Sequence, residues 1–205
     1  GDENMQYLIQ PHIPGRVDKF IYQLKESLFD KVCKFEIKVA RSKDPVEFSQ
    51  RQKLKYSDMG EGETWGKNYS NAWFHLKAKI PSGWNREKIW AHLNFGSEAL
   101  IFSNAGAPVQ GLCQGSVFDA SFDRNLLKLD ARTMRGRHIE FWVEAAANHL
   151  FGLDQKPDPK PEDADRHGSF AATLKFANFG LFNEEVWGLW MDMEHHGYSL
   201  ETAQT

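Results

Sequence analysis

Three groups of side chains in the 205-residue chain are of types that can do chemistry. Asp158, Glu162, Asp163 and Asp165 crowd one stretch, His195 and His196 are adjacent, and Trp65, Trp73, Trp84 and Trp90 punctuate the first half. Carboxylates can serve as general acid and base, but only where desolvation lifts a pKa toward neutrality. The stretch 154–168, DQKPDPKPEDADRHG, is rich in proline and acid and has nothing to bury. It reads as an exposed loop, the wrong place to perturb a carboxyl. Neighbouring residues on a helix point about 100° apart, so His195-His196 reads as a surface pair rather than a metal-binding one. No His-x-Asp, HExxH, paired CxxC, GxSxG, GxGxxG or glycine-rich phosphate loop occurs. The sequence thus offers no catalytic residue and no metal ligand of its own.

The tryptophans pose a different question. An indole face suits the C–H face of a sugar ring, yet most tryptophans fill cores or line sheet faces. Trp84, in the turn Pro81-Ser82-Gly83-Trp84-Asn85, is the one expected to be exposed and so the candidate for substrate binding. Trp187 and Trp190, near the C-terminus, read as a surface buried against something outside this chain.

Composition narrows the class. Hydrophobic residues make up 41%, with seven Trp and fifteen Phe, which is ample for a packed core. Net charge is −3 and the pI is near 6.3, which leaves no basic stripe for nucleic acid. No apolar run of about 20 residues is present to span a membrane. Cys33 and Cys113 lie far apart, as two buried thiols would, and this usage fits a cytoplasmic setting. Gly1 in place of Met reads as a processed or engineered start, with a leader removed ahead of residue 1 compatible with that expectation.

The elements that must position these residues centre on Lys88 to Leu112. Ile89, Ala91, Leu93 and Phe95 alternate with Trp90, His92 and Asn94, a period of two that turns one set toward a core. Gly96-Ser97 breaks the run. Ala99 to Phe102 is a short apolar run expected to be buried on both faces, and Asn104-Ala105-Gly106 supplies a turn. Pro108 then suits an edge strand. Before this core, Val17, Phe20, Ile21, Leu24, Leu28 and Val32 predict an amphipathic helix over 16–32. Phe35, Ile37 and Val39 predict a half-buried strand, and Trp73 to Ile80 a second. Residues 41–62 are polar, with a short strand at Lys53 to Tyr56. Val117, Phe118 and Phe122 are anchors within a mixed stretch. Ile139, Phe141, Val143 and Ala145 give another strand, and Phe170 to Phe179 the last. Asn183 then caps a helix with Glu184 and Glu185 in its first turn. The expected fold is mainly β: a two-sheet antiparallel sandwich, jelly-roll or galactose-binding-like, with an N-terminal and a C-terminal helix. The expected organisation is an arm at 1–13, the sandwich with its helix at 14–180, and a C-terminal helix at 181–205.

Several stretches, in order, resemble the N-terminal non-catalytic region of family-38 glycoside hydrolases, the alpha-mannosidases of the cytosolic and vacuolar type. They are GETWG at 62–66, WFHLKAKIP at 73–81, PVQGL at 108–112, VEAAANHLFG at 143–152, PDP at 157–159 and FNEEVWGLWMD at 182–192. Ala105-Gly106 departs from the Asp-Gly or Asn-Gly more common there, and the loop at 160–168 is longer. The resemblance implies zinc-dependent retaining hydrolysis of mannosides, carried by a His-x-Asp pair and an aspartate nucleophile in a following α/β domain. Neither has a counterpart here, so no catalytic residue and no zinc ligand is carried over. The implied role is an accessory sandwich packed on that catalytic domain, with a part in subunit assembly. The implied partners are the catalytic domain of the same polypeptide, mannose-containing glycans and further copies of the chain. An autonomous carbohydrate-binding module is the alternative.

Overall fold

A computed structural model describes residues 27–113, 125–147, 171–189 and 191–192. The chain divides into two compact units, residues 33–179 and residues 1–32 with 180–205. The predicted arm at 1–13, most of the predicted N-terminal helix, the anchors Val117, Phe118 and Phe122, the acidic stretch 154–168 and His195-His196 lie outside the described residues.

The larger unit is built from short antiparallel strands. In chain order they are β1 (Phe29–Lys34, its end only), β2 (Glu36–Ser42), β3 (Ser57–Asp58), β4 (Thr64–Lys67), β5 (Asn71–Lys79), β6 (Ile89–Asn94) and β7 (Ala99–Phe102). After these come β8 (Pro108–Leu112), β9 (Leu126–Lys128), β10 (Met134–Arg135), β11 (His138–Ala146), β12 (Ala171–Thr173) and β13 (Phe176–Phe182, its first four residues only). One sheet runs β3-β2-β5-β11-β7-β8, with β10 also paired to β11. In the facing sheet β6 lies between β13 and β9, and β12 pairs with β4 as a separate ribbon.

Alternation explains which side of each strand is buried. Ile89, Ala91 and Leu93 are fully buried, and so are Phe74 and Leu76 on β5 and Ile139, Phe141 and Val143 on β11. Rings join the layers across the interior. Phe74 lies 5.3 Å from Trp65 and 4.6 Å from Phe95, and Phe35 lies 5.4 Å from Phe141 and 5.0 Å from Phe179. Two polar side chains caught between layers are bonded: Trp65 Nε1 donates to Phe95 O at 2.6 Å, and Gln110 Nε2 to Leu126 O at 2.8 Å.

The expected turn after β7 forms as read. Gly106 takes φ +90°, its N–H donates to Ser103 O, and Pro108 opens the edge strand β8. Four expectations need correction. First, Phe29 to Val32, read as the end of a helix, belong to β1, and Val32 is 55% exposed. A spacing of four fits a helix face and, being even, also one side of a strand; Phe29 and Cys33, four apart, are the half-buried positions of β1. Second, β7 is not buried on both faces. Ala99 and Ile101 point inward while Leu100 is 36% exposed, because β7 has only one sheet face to cover. Third, Lys53 to Tyr56 is not a strand. The polar stretch holds a 3-10 turn at Phe48–Lys53, and pairing starts only at Ser57. Fourth, the last predicted strand is two strands, β12 and β13, parted at Leu174-Lys175. Leu174 there exchanges backbone hydrogen bonds with Gly62 and Glu63 and is itself fully buried.

In the smaller unit, Asn183 caps a helical stretch covering 184–189 and 191–192. Its Oδ1 accepts from Val186 N at 3.1 Å, and its own N–H donates to Leu28 O at 2.7 Å. Phe182 packs 5.6 Å from Phe29 and 5.8 Å from Trp187. Among the described residues no helix is long and apolar enough to cross a membrane.

Candidate functional site

The outward face of the β2-β5-β11-β7 sheet is where polar and aromatic side chains converge. Register places Lys38 opposite His75, His75 opposite Trp142 and Trp142 opposite Phe102 in one row. A second row sets Glu36 opposite Lys77 and Lys77 opposite Glu140. A third sets Trp73 opposite Glu144 and Glu144 opposite Leu100. Directly opposed side chains stand about 4.5–5.5 Å apart at Cβ, so the members of each row are neighbours on this face.

Residues 46–56 cross this face as a strap. Trp73 Nε1 donates to Val46 O at 2.8 Å. The Phe48 ring lies 5.9 Å from Trp73 and 5.5 Å from Phe102, and Gly106 leaves room for it, since a Cβ there would come within 2.8 Å of the ring. Arg51 is buried, with its guanidinium carbon 3.5 Å from the Phe48 ring centre and 4.4 Å from that of Trp142. Its Nη1 donates to Phe48 O at 2.8 Å. Tyr56 stands edge-on to Trp142 and donates its hydroxyl proton to Arg51 O at 2.8 Å. Trp142 Nε1 finds Asn104 Oδ1 at 2.8 Å, so the turn after β7 supplies the indole's acceptor.

His75 lies flat against Trp142, ring centres 3.7 Å apart and planes 6° from parallel, with Nε2 at 3.1 Å from Glu140 Oε1. Electrostatics follow from this crowding. Burial pulls the His75 pKa below its ordinary value; Lys77 and Arg51 push the same way, and Glu140 opposes them. Burial pushes the Tyr56 hydroxyl up to about 12, Arg51 opposing. Burial also lowers the Arg51 pKa against the pull of Tyr56 and Glu140. Each shift is the mark of a packed polar network.

Burial alone raises the Glu144 carboxyl pKa. A raised carboxylate pKa costs stability wherever the native group must ionise, that is, as pH rises through the ordinary carboxylate range and beyond. Glu144→Gln is therefore expected to stabilise the fold at neutral pH, by no more than about 1 kcal/mol given solvent screening. The gain should vanish near pH ~4, which urea midpoints at the two pH values would show.

The predicted stacking candidate sits elsewhere and is not exposed. Trp84 is 8% exposed, stands edge-on to Phe179 at 5.8 Å, and its carbonyl accepts from Arg137 Nη2 at 3.3 Å. Its turn is polar, but the indole is large enough to reach the interior between the sheets. Trp84 forms one wall of a hollow of about 640 Å³ shared with Arg86, Lys128, Asp130, Met134 and Arg137. There, Arg132 beside Asp130 holds that carboxyl below the usual range. Trp65 and Trp73 are buried and Trp90 is half-buried. Cys33 and Cys113 are half-buried and free. Trp187 is half-buried, and the Trp190 side chain lies outside the described residues. Among the described residues no three His, Cys, Asp or Glu side chains gather as a metal would need.

The strap was not legible as such. Only the i, i+3 spacing of Phe48 and Arg51 on a single 3-10 turn marks them as sharing a face.

Comparison with known proteins agrees with the architecture. Residues 33–204 match the family model described as the jelly roll domain of alpha-mannosidase. Alpha-mannosidase G of Dictyostelium discoideum is 29% identical over 188 residues, which is 87% of this chain and 17% of that protein. The chain thus spans about a sixth of the length of the curated relative it matches. A mainly β, antiparallel sandwich with this match over most of its length belongs to the alpha-mannosidase jelly roll domain family.

Proposed function

We propose that this chain is a non-catalytic accessory domain of an alpha-mannosidase, one that packs on the catalytic portion of the same polypeptide and supports the rim of its cleft. A role in assembling subunits goes with that reading. The observation that carries it is the family match over residues 33–204, set against a relative of which the matched part is 17%. Among the described residues, two groups suited to acid–base chemistry are engaged in structural contacts, which supports it: His75 with Trp142 and Glu140, and Asp130 with Arg132. A retaining glycosidase needs two carboxyl groups about 5–5.5 Å apart across a sugar, and in this reading the catalytic portion supplies them together with its zinc. Producing that portion without this domain, and adding the domain back in trans, tests the proposal. Binding in sedimentation, with a raised thermal midpoint of the catalytic portion, is the expected result. Two independent bodies with unchanged midpoints would contradict it.

The alternative of a free-standing sugar-binding module has less support, since Trp65, Trp73 and Trp84 are buried and Trp90 is half-buried. Titrating the chain with mannose oligosaccharides to millimolar levels is expected to leave tryptophan fluorescence unchanged. A saturable change would restore the module reading.

A further inference from the structure

We propose that His75 is a proton-operated latch for the 46–56 strap: charging its imidazole loosens Arg51 from Trp142, and the strap lifts off the rings of Trp73, Phe102 and Trp142. The geometry is a stack on one indole. His75 lies 3.7 Å from Trp142 in parallel, and Arg51 lies 4.4 Å from the same ring while also capping Phe48 at 3.5 Å. With neutral imidazole, one cation shares the indole. With imidazolium, two do.

Every element around His75 contributes a charge or a titratable group. Glu140 on β11 bonds its Nε2, Lys77 lies two residues along β5, and Lys38 faces it from β2. Glu36 lines the same shallow hollow with Lys38 and Lys77. Arg51 and Tyr56 reach the indole from the strap. Glu140 favours imidazolium, while burial, Lys77 and Arg51 disfavour it, and the balance lies with the latter.

The direction of the switch follows from reciprocity. If Arg51 in its seat weakens proton binding at His75, a proton on His75 weakens the seating of Arg51 by the same factor. With the strap open, Arg51 is withdrawn and the imidazole is better hydrated, so its pKa rises toward the ordinary value. The open form then binds the proton more tightly, and acid favours it. Closure is complete above the ordinary imidazole pKa of about 6.5. It is lost progressively as pH falls from there through the lower value of the closed form.

The strap is otherwise held by contacts that do not titrate in this range, namely the Trp73 to Val46 hydrogen bond and the Phe48 packing. Opening is therefore expected to be local, leaving the inner core in place.

Amide hydrogen exchange of the 205-residue chain at about pH 7.5 and about pH 5.5, either side of the imidazole value, tests the latch. Rates are normalised to those of the unfolded chain at each pH. In the wild type, protection of the 46–56 peptide is expected to fall about fivefold in acid, the low end of coupling between sites. Peptides from β5 and β11 should keep theirs. His75→Gln should abolish the dependence. Should that variant not fold, Glu140→Gln removes the group that favours the charged ring and should move the opening to lower pH. Equal strap protection at both pH values in the wild type would overturn the proposal. So would the same fall in His75→Gln, or a fall at about pH 5.5 in Glu140→Gln as large as that of the wild type.

Discussion

Phe74→Ala is expected to cost about 3–5 kcal/mol, a large part of the 5–15 kcal/mol typical of a domain. Phe74 has no exposed surface. It stands on the inner side of β5, edge-on to Trp65 at 5.3 Å and 4.6 Å from Phe95, the residue that follows β6. One ring thereby links the sheet that holds β5 to the end of a strand in the facing sheet. Its removal takes away the transfer energy of an aromatic and leaves a cavity that rigid strands on both sides cannot close. Urea denaturation would measure the loss. A change under about 1 kcal/mol, the range of surface substitutions and mild core swaps, would mean that the sheets do not meet at this ring.

The second large effect is at Gly96, between β6 and β7. These consecutive strands belong to different sheets, so the chain must leave one layer and enter the other within Phe95 to Glu98. Gly96 does this at φ +78°, its N–H held by Asn94 Oδ1 at 2.9 Å. A Cβ there would meet the backbone of Thr173, 2.8 Å from its nitrogen and closer still to its carbonyl oxygen. The left-handed conformation alone costs a non-glycine residue about 1–2 kcal/mol, and backbone, unlike a side-chain tip, cannot swing aside. Gly96→Ala is expected to destabilise by about 3 kcal/mol or more, since strain and overpacking add. Gly111→Ala is the control. Nothing lies within 4 Å of a Cβ at that position, and its midpoint should stay within about 0.5 kcal/mol of wild type. Equal effects at the two glycines would show that the crossing is not made at Gly96.

These two sites also show what can be read from a sequence and what cannot. The alternation of Ile89, Ala91 and Leu93 was visible because burial on one face of a strand imposes a period of two, and all three are fully buried. Asn183 with Glu184 and Glu185 was visible because capping chemistry is local. Gly96 could be read as a break, but that no side chain fits there depends on Thr173, far along the sequence. Phe29 to Val32 failed for a related reason. A short stretch fits both three-and-four and two-residue spacing, and only the neighbouring strand decides. The outer face was legible least of all. Arg51, Tyr56, His75 and Trp142 are scattered over some ninety positions, and their convergence is set by register, which no local pattern encodes. Trp84 reads as exposed because its neighbours are turn formers, yet it is buried. The polarity of a turn says where the backbone runs, not where a large side chain ends.

The most direct trial of the accessory reading is a rate. The purified chain, incubated with an aryl alpha-mannoside and zinc, is expected to release phenol no faster than a blank without protein. Sustained release over many turnovers, lost when the chain is unfolded, would contradict that reading and place bond-breaking chemistry within these residues.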